Sequence, residues 1–145
     1  MSMFYENLKG CRASKNRDEV LAVMERASAP LTIDEIYLKI KKKKNSVSLS
    51  TIYRIIDKLT SLNIVRIAAT LDDNKARYEL VKEQHHHYMI CNKCKKMIPI
   101  DICPVEELEQ KIADSAGFTI TGHKFELYGE CKNCAKKEKE LTNDF

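Results

Sequence analysis

The 145-residue chain has no apolar run approaching the ~18–20 residues that span a bilayer, which excludes a membrane-spanning helix. Its first twenty residues, MSMFYENLKGCRASKNRDEV, include acids and lack a continuous apolar core, so they do not read as an export signal. The expected location is therefore cytoplasmic. In a reducing cytosol, the six cysteines favour thiolates on a metal over disulfides. No H-x-E triplet occurs. Zinc deaminases need one beside their P-C-x-x-C motif, so the sequence argues against that chemistry. A composition of 43% hydrophobic and 32% charged residues belongs to a globular protein, not a disordered one.

A further lack divides the chain. Residues 1–84 contain no histidine and only one cysteine, whereas all four histidines and five cysteines lie at or after position 85. Charge divides at the same place. Residues 1–84 carry 16 Lys+Arg against 11 Asp+Glu, a balance of +5, and residues 85–145 carry 9 against 10, a balance of −1. Two small domains are expected, 1–84 and 85–145, with a hinge at about 80–85. Each is near the lower size limit for a self-sufficient core, so a structural metal and dimer formation would both help.

The basic half reads as three helices and a hairpin. Asn16 with Glu19 fits a capping box ahead of Val20, Leu21, Met24 and Ala27. Pro30 closes that helix. Thr32 with Glu35 opens a second, with Ile33, Ile36, Tyr37 and Ile40 on one face, running into Lys41–Lys44 before Asn45 and Ser46 break the pattern. Ser48 or Ser50 caps a third, with Leu49, Ile52, Ile56 and Leu59 inward and Asn63 as its C-cap. IVRIAAT and ARYELV flank Leu71–Lys75 as a hairpin. This order is that of a winged helix-turn-helix, whose third helix enters the major groove of double-stranded DNA. Arg54 could then fork onto a guanine edge, and Tyr53 could meet a thymine methyl group or a phosphate. Ser50 and Thr51 suit a phosphate at the helix N-terminus. Lys15, Arg17 and the lysine run supply charge for counterion release.

The second half carries Cys91-Asn-Lys-Cys94 and Cys131-Lys-Asn-Cys134. Each pair can place two thiolates on one tetrahedral zinc. Together they make a closed structural site with no position for a catalytic water. The intervening 36 residues require an inserted element. MIPIDI reads as a strand, Pro104 as the first residue of a helix VEELEQKIADSA ended by Gly117, and FTITGHKFELYG as two strands interrupted at Gly122. A redox use of the C-x-x-C pairs lacks the flanking βαβ pattern it needs. Cys11 and Cys103 are left over as small buried or incidental residues.

His85-His86-His87 precede the first knuckle. On a strand, His85 and His87 share one face, and His86 and Tyr88 the other. The first face offers two imidazoles, which His123 and the carboxylate of Glu106 or Glu107 could complete to four ligands. The opposite face offers His86, with Glu79 and Asp72 or Asp73 brought across from the hairpin.

Taken together, TIYR at 51–54, RYEL at 77–80, HHH before C-x-x-C, and GHKFELYGECKNC at 122–134 make the chain resemble the ferric uptake regulator (Fur) family of bacterial metal-dependent repressors. The resemblance covers nearly the whole chain. It implies an α+β homodimer with an N-terminal winged helix-turn-helix and a C-terminal α/β dimerisation domain. It also implies structural Zn²⁺ on Cys91, Cys94, Cys131 and Cys134, and a second, regulatory divalent metal. Cys103-Pro104 with GHKFELYG is most similar to the zinc uptake regulators (Zur), which implies zinc ahead of Fe²⁺ or Mn²⁺. His85, His87, Glu106 and His123 match the family's site within the dimerisation domain. Glu79 and His86 match two ligands of its inter-domain site. Tyr88 and Pro30 stand where that second site usually has histidines, and Pro99 stands where peroxide sensors place an Asp. The expected function is a metal-responsive repressor of metal-uptake genes that binds a palindromic operator, with no small-molecule substrate and no membrane partner. The rivals are an iron- or manganese-responsive regulator, a peroxide sensor, and a zinc-stabilised interaction module that senses nothing.

Overall fold

The computed structural model describes residues 8, 14–43 and 46–142. Cys11, Lys44 and Asn45 lie outside the described residues. The chain forms two compact units, Met1–Glu83 and Gln84–Phe145. Among the described residues, no helix is long and apolar enough to cross a membrane.

The first unit holds helices α1 (Lys15–Arg26), α2 (Ile33–Lys41) and α3 (Leu49–Ser61), then strands β1 (Val65–Thr70) and β2 (Ala76–Leu80). Thr32 and Glu35 form the full capping box expected for α2. The cap of α1 differs from expectation. Ser14, not Asn16, accepts the Arg17 N–H at 3.1 Å, so the cap and the helix start lie two residues earlier than the motif read from sequence. Ser48 caps α3 by accepting the Thr51 N–H. Leu49, expected inward, is 37% exposed, because residues 48–50 emerge from the core. Val47 is buried in its place, ahead of the cap and one turn from Ile52, which is the geometry of a hydrophobic staple. At the other end, Asn63 adopts φ 56°. The Asn63 N–H donates to the Thr60 carbonyl, and the Ile64 N–H to that of Leu59 at 2.9 Å. These two bonds make a Schellman ending with asparagine in the left-handed position.

Strands β1 and β2 form the hairpin, antiparallel with Arg66 opposite Glu79. Leu31 and Tyr78 exchange backbone hydrogen bonds, which adds a short third rung and ties the α1–α2 connection to the wing. Helices and wing share one core around Val20, Ile36, Ile40, Ile52, Ile56 and Leu59, all within 1% of full burial. Ile56→Ala should cost about 2–5 kcal/mol, the range for an aliphatic side chain removed from a well-packed interior. Urea unfolding followed by helical circular dichroism measures it.

The second unit has β3 (His87–Cys91), β4 (Met97–Ile100), α4 (Glu106–Ala116), β5 (Glu126–Gly129) and α5 (Lys132–Thr142). Its sheet has the order β4-β3-β5, with β4 antiparallel and β5 parallel to β3. The parallel pair requires a crossover, which α4 supplies. Pro104 lies just ahead of α4, with Val105 as the N-cap, and Gly117 ends the helix at φ 61°. Only Glu126–Gly129 of the expected strand pair in FTITGHKFELYG is a strand. In this sheet, residues 118–121 have no neighbouring strand to pair with, so they carry no ladder. Helix α5 has no counterpart in the sequence reading. It is highly charged and lacks the apolar stripe that marks a packed helix.

Candidate metal centres and nucleic-acid interface

Among the described residues, two groups of metal-ligating atoms converge, both in the second unit. The first is Cys91, Cys94, Cys131 and Cys134, whose sulfurs all lie within 4.8 Å of one another. Local backbone builds it. Cys91 ends β3, and the chain turns back at once. The Lys95 N–H donates to the Cys91 carbonyl at 3.0 Å, and the Cys91 N–H donates to the Lys96 carbonyl at 2.9 Å, with Lys95 at φ 62°. The parallel pairing of β5 on β3 brings Gly129 beside Cys91, and the Asn92 N–H donates to the Gly129 carbonyl at 2.8 Å. The next knuckle therefore opens α5 directly opposite the first.

The Cys131 N–H donates to Cys91 Sγ at 3.3 Å. This bond is the main reason the Cys91 thiol is lowered to about 6. Cys131 is lowered too, chiefly by the Cys134 backbone N–H, while the hydrogen bond with Cys131 pushes Cys134 up to about 12. Backbone N–H groups thus favour the thiolate forms of Cys91 and Cys131, the form in which a dication would be bound. The spacing suits one. A tetrahedron with Zn–S of ~2.3 Å has sulfurs about 3.8 Å apart, and Cys94 and Cys131 are 3.7 Å apart.

The second group is His85, His87, Cys103 and His123, again with all ligand atoms within 4.8 Å. His87 Nε2 and His123 Nε2 are 3.0 Å apart, and Cys103 Sγ is 3.3 Å from each. The His85 ring lies 5.0 Å from that of His87 and 4.9 Å from that of His123, centre to centre. Phe125 closes one side by meeting His87 edge-on at 5.7 Å. The sequence assigned the fourth position to Glu106 or Glu107. Both are exposed in the first turn of α4, outside the group. The loop ahead of α4 turns Cys103 onto the imidazoles instead. A carboxylate meets the group from behind: Glu109, one turn further on, lies 2.8 Å from His123 Nδ1. Cys103 was missed because a lone cysteine beside a proline carries no spacing signal.

The proposed hinge acids are committed elsewhere. Glu79 Oε1 accepts from Arg66 Nε at 2.8 Å, and Arg66 Nη2 is 2.7 Å from the same oxygen, directly across the wing ladder. Asp73 is gripped by both ends of the buried Arg77 guanidinium at 2.7 Å, which holds its carboxyl well below the usual range. Asp72 is exposed in the hairpin loop, and His86 belongs to the second unit. Tyr88 is buried in β3 opposite Pro99 of β4.

On the first unit, α3 leaves Tyr53, Arg54, Asp57 and Lys58 in solvent. At its start, the Ser48 hydroxyl lies 2.8 Å from that of Thr51 and 3.3 Å from that of Ser50. Lys15 and Lys41–Lys43 are exposed, Lys41 lying over the Tyr37 ring. Arg17 does not join this surface. Its side chain is 8% exposed and forked onto Asp18 at 2.7 and 3.0 Å. It lies three, four and seven residues before Val20, Leu21 and Met24, on the buried stripe of α1.

A winged helix with an exposed, polar third helix, joined in one chain to a unit built around two metal-ligand clusters, defines a metal-responsive regulator that binds DNA, not an enzyme. The ferric uptake regulator family model matches residues 8–128, and the chain belongs to that family. It is 31% identical over 132 residues to a ferric uptake regulation protein of Campylobacter upsaliensis, covering 90% of this chain and 84% of that one. It is likewise 31% identical over 135 residues to the peroxide operon regulator of Bacillus subtilis, covering 92% of each. Among solved structures, the Helicobacter pylori ferric uptake regulator, described as having three functional metal-binding sites, superposes with a TM-score of 0.78 at 25% identity, over 92% of this chain and 95% of that one. Regulators of this family bind DNA as dimers and carry an N-terminal DNA-binding and a C-terminal dimerisation domain, the α+β arrangement expected from the sequence.

Proposed function

We propose that the chain is a zinc-responsive transcriptional repressor. It binds an inverted-repeat operator as a homodimer when its second metal site is loaded, and so controls metal-uptake genes. The observation that carries this reading is the convergence of Cys103 with His85, His87 and His123. Three imidazoles and a thiolate suit zinc. A carboxylate-bearing set would be more hospitable to manganese or ferrous iron. The four-cysteine group would hold a structural zinc that supplies folding energy and no chemistry.

Recognition follows from the surface of the first unit. Helix α3 enters the major groove, with Arg54 on a guanine edge and Tyr53 against a thymine methyl group or a phosphate. Ser50 and Thr51, with the α3 N-terminus, take a backbone phosphate. Lys15 and Lys41–Lys43 carry the salt-dependent share of affinity. Two copies related by a twofold axis read two half-sites, so the operator is palindromic. The switch is linkage. Metal that favours the DNA-competent arrangement raises operator affinity by its differential affinity for the two states, about 1–3 kcal/mol or 5–150-fold.

The test is a zinc titration of the purified dimer against a chelator of known affinity, with selection from a random duplex library at each step. The expected result is one tightly held zinc per chain and a second, weaker zinc that switches on selection of a palindrome. Uptake that stops at one zinc per chain, with selection dependent on manganese or iron, would overturn the zinc assignment.

A further inference from the structure

His123 uses its two ring nitrogens differently. Nε2 faces the ligand cluster, 3.0 Å from His87 Nε2 and 3.3 Å from Cys103 Sγ. Nδ1 lies 2.8 Å from Glu109 Oε2. The two side chains are 20% and 22% exposed, so this contact is largely shielded from water. A carboxylate accepting a hydrogen bond from Nδ1–H favours the tautomer whose lone pair is on Nε2, the nitrogen that faces the cluster. It also fixes the ring plane and makes Nε2 a stronger donor.

Helix α4 makes the contact informative. None of its side chains is buried, and Leu108 and Ile112 are about half exposed. Apolar packing within the unit therefore does little to set where Glu109 sits. Cys103, just ahead of α4, and Glu109, in its first turns, both end on His123.

We propose that Glu109 is the positioning residue of the His85–His87–Cys103–His123 site, holding His123 in its metal-binding tautomer and orientation and fastening the start of α4 to the site. The proposal rests on the zinc-responsive reading above. Glu109 does not itself touch the metal. The acid expected to coordinate, Glu106, stays in solvent, while Glu109 stands behind the ring and Cys103 lies against the imidazoles.

The experiment compares Glu109→Ala, Glu109→Gln and, as a control on the same helix, the exposed Glu107→Gln. All are full-length dimers with the four-cysteine zinc in place. Second-site zinc affinity is read by chelator competition, and the site itself by the visible bands of cobalt. Glu109→Ala should weaken the second zinc about 10–100-fold. The sulfur-to-cobalt charge-transfer band of Cys103 should persist at saturating cobalt. Glu109→Gln, whose amide oxygen still accepts the Nδ1–H, should recover part of the loss, and Glu107→Gln should match the parent. Helical circular dichroism of the forms without the second metal should be unchanged in all three. Second-site affinity within twofold of the parent in Glu109→Ala would overturn the proposal and leave the zinc reading standing. Equal losses in Ala and Gln accompanied by lost helix content would make Glu109 merely structural and also overturn it. A parent that takes up no second zinc would instead bring down the functional reading itself.

Discussion

Removing the metal from the four-cysteine site should unfold residues 84–142 and leave the winged helix standing. The two units have unequal means of support. The first packs more than a dozen buried aliphatic side chains from three helices and a wing into one cluster. In the second, the buried apolar set among the described residues is Tyr88, Ile90, Cys91 and Met97, all on β3 and β4, and α4 buries nothing. So small a core cannot offset the conformational entropy of some sixty residues. A closed thiolate site can, because binding energy absent from the unfolded chain appears as folding energy, about 10–16 kcal/mol in zinc-finger peptides near pH 7. The topology shows where that energy acts: the knuckles join the end of β3 to the start of α5 and lock β5 beside β3. Cys91→Ser, or a strong chelator, should therefore collapse the amide resonances of residues 84–142 into the random-coil region. Those of residues 14–43 and 46–83 should stay dispersed. The dimer should dissociate with the loss, and operator affinity should fall to that of a single winged helix. A second unit that kept its dispersed spectrum without metal would show that the site decorates a fold it does not support.

The same imbalance explains what the sequence could and could not disclose. The first unit was legible because its determinants are local. A capping box at Thr32 and Glu35, an inward stripe at Ile52, Ile56 and Leu59, and an asparagine able to take a left-handed conformation at position 63 each act within a turn or two of chain. The four cysteines were legible for the same reason, since C-x-x-C is a local geometry. Arg17 was misread although the signal was present: its spacing from Val20, Leu21 and Met24 puts it on the inner face of α1. Cys103 carried no such signal. The sequence reading offered Glu106 or Glu107 and did not weigh Glu109, which lies three residues beyond Glu106 on the same helix face. Only the path of the loop from β4 to α4 decides that a thiol coordinates while a carboxylate stands behind the ring. Helix α5 was hidden by composition, because its start is fixed by the Cys131 knuckle and not by an apolar stripe.

Cys103→Ala should abolish zinc-dependent operator binding, and Glu106→Gln should leave it intact. The sequence reading gave the coordinating role to Glu106. The structure places Cys103 Sγ 3.3 Å from two imidazole nitrogens and leaves Glu106 in solvent. Taking a thiolate from a four-ligand set leaves three neutral imidazoles to hold a dication with no anionic ligand, the Glu109 carboxylate behind His123 being the nearby charge that remains. Second-site zinc affinity should drop by more than the 10–100-fold expected for an outer-shell change. Operator affinity at saturating zinc should fall by the full coupling factor, 5–150-fold, to the value seen without the second metal. Fluorescence anisotropy on a selected palindrome measures the fall, and metal analysis confirms that one zinc per chain remains on the other four cysteines. Cys103→Asp separates ligand count from ligand type. It restores a charged fourth ligand of harder character, so zinc should regain only part of its effect while manganese or ferrous iron gains. If Cys103→Asp instead responds to zinc as the parent does, the thiolate contributes charge alone, and metal selection must come from the shape of the imidazole cage. If Glu106→Gln destroys the response while Cys103→Ala preserves it, the metal recruits the carboxylate by rearranging the first turn of α4, and the His85–His87–Cys103–His123 arrangement is not the one that senses.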